Sequence, residues 1–526
     1  MVKLNLNYTV EITNLAFIIA PRVFARKSSI NLWQKVLVTI LLISTLSYAN
    51  TVPTNIGESK HLQSTSQFYE GMLNSKKPNE ALLHLFFTKM PKGGDIHHHY
   101  SGSIYAETYL EWVDKKGWMI DSCSLLIIKE SKDATCKLLT AQELIADDTL
   151  YRRLLTLWSD KDYSNHSHNQ PPPDSNFFNT FLYIETIAYE YINLGLNILK
   201  KRAIKENLNY IETMLSMVGI NSSNYYDTPT AQSYNKQLRA AKSQEQIDSI
   251  LDEIVTTYNK SSEFNATVDS YVAKLNRDHQ GIDDANFMMR YQTYAVRVFE
   301  PLQVFSDLYA SYMTALKSPL IVGVNIVAPE NNTVALSDYT LHMRMYNYLA
   351  QRYPTVHRAL HAGELTLGMV RPKNLLFHIR EAREIAQAQR IGHGVDISYE
   401  EHPIKLLKDL KENAAIEINF SSNEFILGVK GDKHPYLIYE RYNVPLVIAT
   451  DDSGVTRNNL TQEYMKLATR YHPSYQRIKE YVYNSIKYSF LEQSEKELLT
   501  KDLDRRFISF EREMAEFSQG LGAKQK

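Results

Sequence analysis

From about residue 288 to residue 450 the chain repeats one pattern: a short apolar run, then a stretch whose apolar positions recur at helical spacing, then another apolar run. The apolar runs predict strands at 288–298, 320–328, 355–361, 390–395, 414–420 and 445–450. The amphipathic stretches predict helices near 301–317, 336–352, 373–389, 401–412 and 434–441. Two more strands are expected upstream, at about 94–99 and at Leu208-Asn-Tyr-Ile-Glu-Thr-Met-Leu215. Eight strands alternating with helices predict an α/β protein, a closed parallel (β/α)8 barrel of TIM type. The alternative is an open doubly wound sheet. That fold usually carries a Gly-x-Gly-x-x-Gly loop after its first strand, and this sequence has none.

The other segments fit around this frame. Residues 50–90 are polar, then helical in pattern, with Leu82, Leu83, Leu85, Phe86 and Phe87 leading into Met90-Pro-Lys. A helix is expected at 104–118, a loop at 159–176, and a long helix from Phe177 to Glu206 carrying Phe181, Ile184, Ile187, Ala188, Tyr191, Leu194 and Ile198 at helical spacing. Residues 221–285 are polar and helical in composition; they read as an insertion that covers the site, mediates a homodimer or is a surface elaboration. The barrel domain then spans 91–515. At the N-terminus, Lys35 precedes the apolar run Val36–Leu46, followed by Ser47-Tyr-Ala49. This is the pattern of a secretory signal peptide cleaved near Ala49, and the run is shorter than the roughly 18 residues of a spanning helix. A further apolar patch, Leu15–Ala20, and Arg22, Arg26 and Lys27 lie in front of it, so either the start lies later than Met1 or the leading region is long. A secreted or periplasmic protein is expected, with an uncleaved N-terminal membrane anchor as the alternative. No other stretch is long and apolar enough to cross a bilayer.

Composition narrows the chemistry. Lys+Arg is 58 against Asp+Glu 59, which leaves no basic footprint for nucleic acid. The 2 cysteines, Cys123 and Cys136, exclude a Cys-rich zinc module, so a metal site must use His and carboxylates. The pair flanks Leu125-Leu-Ile-Ile128 and a charged turn, Lys129–Asp133. It is either the disulfide of a small hairpin or two separate thiols.

Polar residues gather at the ends of the expected strands, where a barrel carries its chemistry. The first strand ends His97-His-His99, and strand alternation puts His97 and His99 on one side and His98 on the other. The fifth ends His361-Ala-Gly-Glu364, the sixth Ile391-Gly-His-Gly394, the seventh Asn419-Phe-Ser-Ser-Asn423 and the eighth Thr450-Asp-Asp-Ser-Gly454. His97, His99, His361 and Asp451 form a nitrogen-and-oxygen donor set suited to one Zn2+, with iron or manganese as other occupants. Glu364 is placed for proton transfer, and His393 and Asp452 for orienting water and stabilising charge. A second His-x-His, His166 and His168, lies among Asn, Ser and Pro and reads as solvated loop.

Met90-Pro-Lys-Gly-Gly-Asp-Ile-His-His-His, His361-Ala-Gly-Glu, Ile391-Gly-His-Gly, Ser421-Ser-Asn, Thr450-Asp-Asp and Leu460-Thr-Gln-Glu-Tyr together resemble the adenosine deaminase family of metal-dependent amidohydrolases. The Met-Pro-Lys-Gly opening is similar to its secreted, growth-factor-type branch (adenosine deaminase 2-like). The resemblance implies zinc on His97, His99, His361 and Asp451. It implies protonation of purine N1 by Glu364, with His393 and Asp452 positioning the attacking water. Hydroxide then adds at C6, and adenosine or 2′-deoxyadenosine gives inosine or its deoxy form plus ammonia. The implied partner is a small purine nucleoside. Four positions depart from the pattern: Ser101 stands where the family commonly has a ribose-contacting Asp, Asn325 replaces an Asp, Ala328 stands where a Gly backbone approaches the purine, and Ser453 follows Asp-Asp in place of the frequent Pro. Ser101, Ala328 and Gly363 are the candidate substrate-binding positions. They leave open another 6-aminopurine as substrate, or a nucleoside-binding, growth-factor-like protein with little catalysis. A two-metal amidohydrolase is a further class, but the fourth strand end, Val324–Glu330, lacks the bridging Lys many of those use.

Overall fold

The computed structural model describes residues 56–74, 77–161, 171–220 and 228–523. The expected signal segment and the loop histidines His166 and His168 lie outside these residues. The chain divides into two units, Met1–Gly57 and Glu58–Lys526, and the second holds every element of the barrel.

Eight strands form one parallel sheet: β1 Gly93–His99, β2 Leu208–Ser216, β3 Met288–Val296, β4 Ile321–Val327, β5 His357–Ala362, β6 Arg390–His393, β7 Ala415–Ile418 and β8 Leu446–Ile448. Each pairs with its neighbour in chain order from β1 to β8. Parallel strands need crossovers, and the crossovers are helices, among them Pro301–Lys317 after β3 and Thr333–Arg352 after β4. The sheet closes where β1 meets the end of β8. There the Asp451 N–H donates to the His97 carbonyl at 2.9 Å, and the His99 N–H to the Asp451 carbonyl at 3.3 Å. Asp95 braces this seam by accepting from the Thr450 N–H and hydroxyl at 3.2 and 2.6 Å. The result is the (β/α)8 barrel expected from the pattern.

The barrel interior is unusually polar. The Arg390 guanidinium lies across it, donating to Glu212 and Glu417 at 2.5 Å each. All three side chains are buried; the one guanidinium faces both carboxylates, and Glu417 has His97 as a further partner.

Some elements differ from expectation. The long helix is two, Pro173–Ala188 and Ile192–Lys205, and the first starts earlier than Phe177 with prolines in its opening turn. The second is drawn onto Tyr100, whose hydroxyl would lie 2.3 Å from a Cβ at Gly195. The stretch 373–389 forms a short turn, Pro372–Leu375, then the helix His378–Glu384. Between β1 and β2 lies a small antiparallel sheet, with Met119–Asp121 between Ile127–Ile128 and Leu138–Leu139. Cys123 and Cys136 are joined by a disulfide at its edge. Beneath them Asp121 accepts the N–H groups of Cys123, Ser124, Thr135 and Cys136 at 2.7–2.9 Å. The insertion forms three helices, Pro229–Ala240, Gln244–Lys260 and Ser262–Asp278, whose apolar faces (Leu251, Ile254, Tyr258, Phe264) are buried.

Candidate metal centre

The barrel brings together the residues at its strand ends. The ligand atoms of His97, His361, His393 and Asp451 lie within 4.8 Å of one another, as do those of His99, Asp451 and Asp452. His99 Nε2 is 3.2 Å from both His361 Nε2 and Asp451 Oδ1, and His97 Nε2 is 3.4 Å from the same Asp451 oxygen. His98 faces away, with Nδ1 2.9 Å from Thr213 Oγ1. Two site residues sit in left-handed backbone, His393 at φ 68° and Asp451 at φ 60°. Such conformations cost roughly 1–3 kcal/mol each and persist where the surroundings enforce them.

What lies behind each ring decides what faces the centre. His97 Nδ1 is 2.5 Å from Glu417, a carboxylate, so Nδ1 carries the proton and Nε2 turns a lone pair inward. His361 Nδ1 is 2.9 Å from Asn325 Oδ1. The amide of Asn325 donates to Gln292 Oε1 at 3.0 Å, and Gln292 Nε2 donates to the Glu212 carboxylate at 2.7 Å. A carboxylate can only accept, so this chain of bonds has one direction, and His361 also presents a lone pair at Nε2. Asn325, a departure from the family pattern, is therefore the residue that holds His361.

The electrostatics favour a cation. Burial works against charge on His97, but Glu417 and Asp451 outweigh it and raise its basicity, so the inward Nε2 favours a positive partner, a proton or a metal ion in its place. Its buried Nε2 has no hydrogen-bond partner. Burial pushes His361 well below the usual histidine range. Asp451 is held well below the carboxylate range because His97, His99 and His393 outweigh its burial. An orphaned imidazole nitrogen, two further inward nitrogens and an ionised carboxylate fit a divalent metal of the zinc type.

Around this set stand three other groups. Glu364 Oε1 is 3.7 Å from His393 Nε2, and burial, then the charges of Asp451 and Glu330, push its pKa well up. Its backbone is held by Glu330, which accepts the Gly363 and Glu364 N–H groups at 3.1 and 2.9 Å. Glu330 itself stays ionised, at about 2, because His378 and Arg297 outweigh its burial. Asp452 is buried with Oδ1 unpaired, and burial followed by the neighbouring Asp451 raises its pKa. His393 is pushed down to about 3 by burial.

A cavity of about 730 Å³ opens on these residues, within the usual range for small-molecule sites. Its walls are largely apolar: Phe177, Phe181, Ile184, Tyr189, Leu215, Tyr294 and Phe299, with Tyr271 and Leu275 from the insertion. Ser101 and Ala328 line it. Ala328 sits at φ 85°, the conformation a glycine would take without strain. Gly363 stands behind the wall: its N–H goes to Glu330, and its carbonyl accepts from Val395 and Asp396 at 2.8 and 3.2 Å.

Sequence reasoning passed over Glu417, Glu212, Gln292, Arg390 and His434. For the first four the signal is a charged or amide side chain interrupting an apolar strand, as in Ala415-Ile-Glu-Ile418; His434 lies in a loop and has no such signal.

Fold and site define a (β/α)8 barrel with a histidine-and-aspartate cation site on its C-terminal rim. The model of the adenosine deaminase family matches residues 254–506. Adenosine deaminase of Clostridium perfringens is 32% identical over 141 residues, 27% of this chain and 40% of that enzyme. The chain thus aligns with about two fifths of that relative's length. Among solved structures, the Arabidopsis N6-mAMP deaminase superposes with a TM-score of 0.53 at 17% identity, over 80% of this chain and 99% of that one. An amidohydrolase from Burkhoderia ambifaria with bound zinc gives 0.50 at 13% identity, over 82% and 94%.

Proposed function

We propose that the chain is a zinc-dependent aminohydrolase that converts adenosine, and 2′-deoxyadenosine, to the 6-oxopurine nucleoside and ammonia. The observation that carries this is Glu364, a buried acid with a raised pKa, 3.7 Å from an imidazole nitrogen of the same rim as the cation site. His97, His99, His361 and Asp451 would hold the metal; the donor set suits zinc, and one solved relative binds it. Once bound, such a metal makes hydroxide available near neutral pH.

The chain's own residues do the rest. Glu364 is a neutral acid that gives its proton to the purine ring nitrogen beside C6, making that carbon electrophilic. His393 and Asp452 flank the point of attack and hold the water in line. As the amino group leaves, Glu364 and Asp452 are placed to return the proton that ammonia needs. The apolar walls exclude bulk water and give the base a surface to stack on.

The cavity also argues against a phosphate. Among the described residues Lys274 is its lining lysine, already paired with Asp278 at 2.6 Å, and Glu185 lines the same space. A nucleotide would meet two carboxylates for one neutralised cation. A nucleoside therefore fits better than the nucleotide named for the Arabidopsis relative. Export through the N-terminal apolar segment is part of the same proposal, supported by the Cys123–Cys136 disulfide, which belongs in an oxidising compartment. Among the described residues, no helix is long and apolar enough to cross a membrane.

The test is ammonia release from adenosine, deoxyadenosine, adenine and AMP, with and without chelator. We expect turnover of the two nucleosides, little of AMP, and loss with chelator that zinc restores. Turnover of AMP above adenosine would overturn the substrate class, and no ammonia from any of the four would overturn the activity.

A further inference from the structure

The geometry points to Asn423 and His434 as positioning residues that fix His393 as a hydrogen-bond donor and keep it out of the metal's ligand set. This rests on the reading of the rim as a deaminase centre. By distance alone His393 belongs with His97, His361 and Asp451, and any of the three imidazoles could bind the ion. Hydrogen-bond direction separates them.

The direction starts at a backbone amide. The Tyr436 N–H donates to His434 Nδ1 at 3.1 Å, and a backbone N–H can only donate. A neutral imidazole has one accepting and one donating nitrogen, so the proton of His434 is on Nε2. Nε2 lies 3.1 Å from Asn423 Oδ1 and donates to it. That fixes the amide's orientation and turns Asn423 Nδ2 toward His393 Nδ1, at 2.8 Å. His393 Nδ1 accepts, so its proton is on Nε2. Nε2 is buried, has no other partner, and points into the centre 3.7 Å from Glu364 and 3.9 Å from Asp451.

Both relay members are buried, and His434 packs on the Phe420 ring at 5.0 Å between centroids, so neither can turn without breaking packing. Burial also keeps His434 neutral, as the relay requires. The arrangement is opposite in sense to that behind His361, which ends on a carboxylate and exposes a lone pair. One relay makes a ligand and the other makes a donor. The His393 N–H is then available to the developing oxyanion without spending a proton from the reaction.

The test reads the tautomer directly. In a long-range 1H–15N spectrum of the zinc-loaded full chain, labelled at histidine, we expect His393 and His434 as Nε2–H and His361 as Nδ1–H. Asn423→Asp removes the donor. It is expected to switch His393 to Nδ1–H and lower kcat by about 10²–10³-fold, with KM and metal content nearly unchanged. His434→Gln retains an N–H for Asn423 and should keep most of the wild-type kcat, whereas His434→Leu should not. His393 found as Nδ1–H in the wild-type chain, or unchanged in Asn423→Asp, would overturn the assignment. The wild-type spectrum decides even if a variant fails to fold. A chain with this pattern that released no ammonia would refute the proposed activity and leave the relay standing.

Discussion

A neutral imidazole offers one lone pair and one proton, and its rear neighbour decides which faces forward. At the residue scale this is how His97, His361 and His393 divide their work. Carboxylates and amides do the same for charge. Glu330 stays ionised because His378 and Arg297 attend it, and its charge is one reason Glu364 stays neutral. The sign of the pH effect follows. The proton-donating form of Glu364 is present below its raised pKa and is lost as pH rises through it. We expect kcat/KM for adenosine to fall on the alkaline side. A profile flat there, but falling through the ordinary carboxylate range as pH drops, would contradict the assignment of Glu364 as donor.

At the scale of elements, the strand ends were legible because a strand's period is two and a parallel barrel strand is apolar along its length, so polar ends stand out. His97, His99, His361, Glu364, His393, Asp451 and Asp452 could all be read that way. The residues behind them could not. Glu417 and Gln292 appear in sequence only as interruptions of apolar runs, and their partners lie on other strands. Asn325 was visible as a departure and looked like a loss; the structure gives it the orientation of His361. The turn after β1 has its own demand. A Cβ at Gly102 would lie 1.5 Å from Asp452 Oδ1. Gly102→Ala must therefore displace that carboxylate, and a misplacement of about 1 Å can cost about 10²-fold in rate. We expect turnover to fall by that order, with one metal per chain retained. Unchanged turnover would remove Asp452 from the reacting groups.

At the scale of the molecule, the barrel is closed by the bonds that hold the site, since Asp451 pairs with the His97 carbonyl and the His99 N–H. Closure and ligand placement are one event. Strand count and order followed from periodicity, and the helical character of the stretch between β2 and β3 was visible in its composition. That it walls the cavity with Tyr271 and Leu275 was not, because a helix's apolar stripe does not say what it will face. The disulfide was open in sequence because two cysteines 13 residues apart suit either outcome; the small sheet around Asp121 brings them together.

In the proposed reading, metal binding by the strand-end ligands and turnover through Glu364 are separable, and one variant can separate them. The measurement is metal content together with ammonia release from adenosine, on the full chain and on Glu364→Gln. We expect one zinc per chain in both, and a loss of turnover of several orders of magnitude in the variant, consistent with removal of a general acid that works with an activated water. Near-normal ammonia release from a zinc-loaded Glu364→Gln chain would contradict this division of roles.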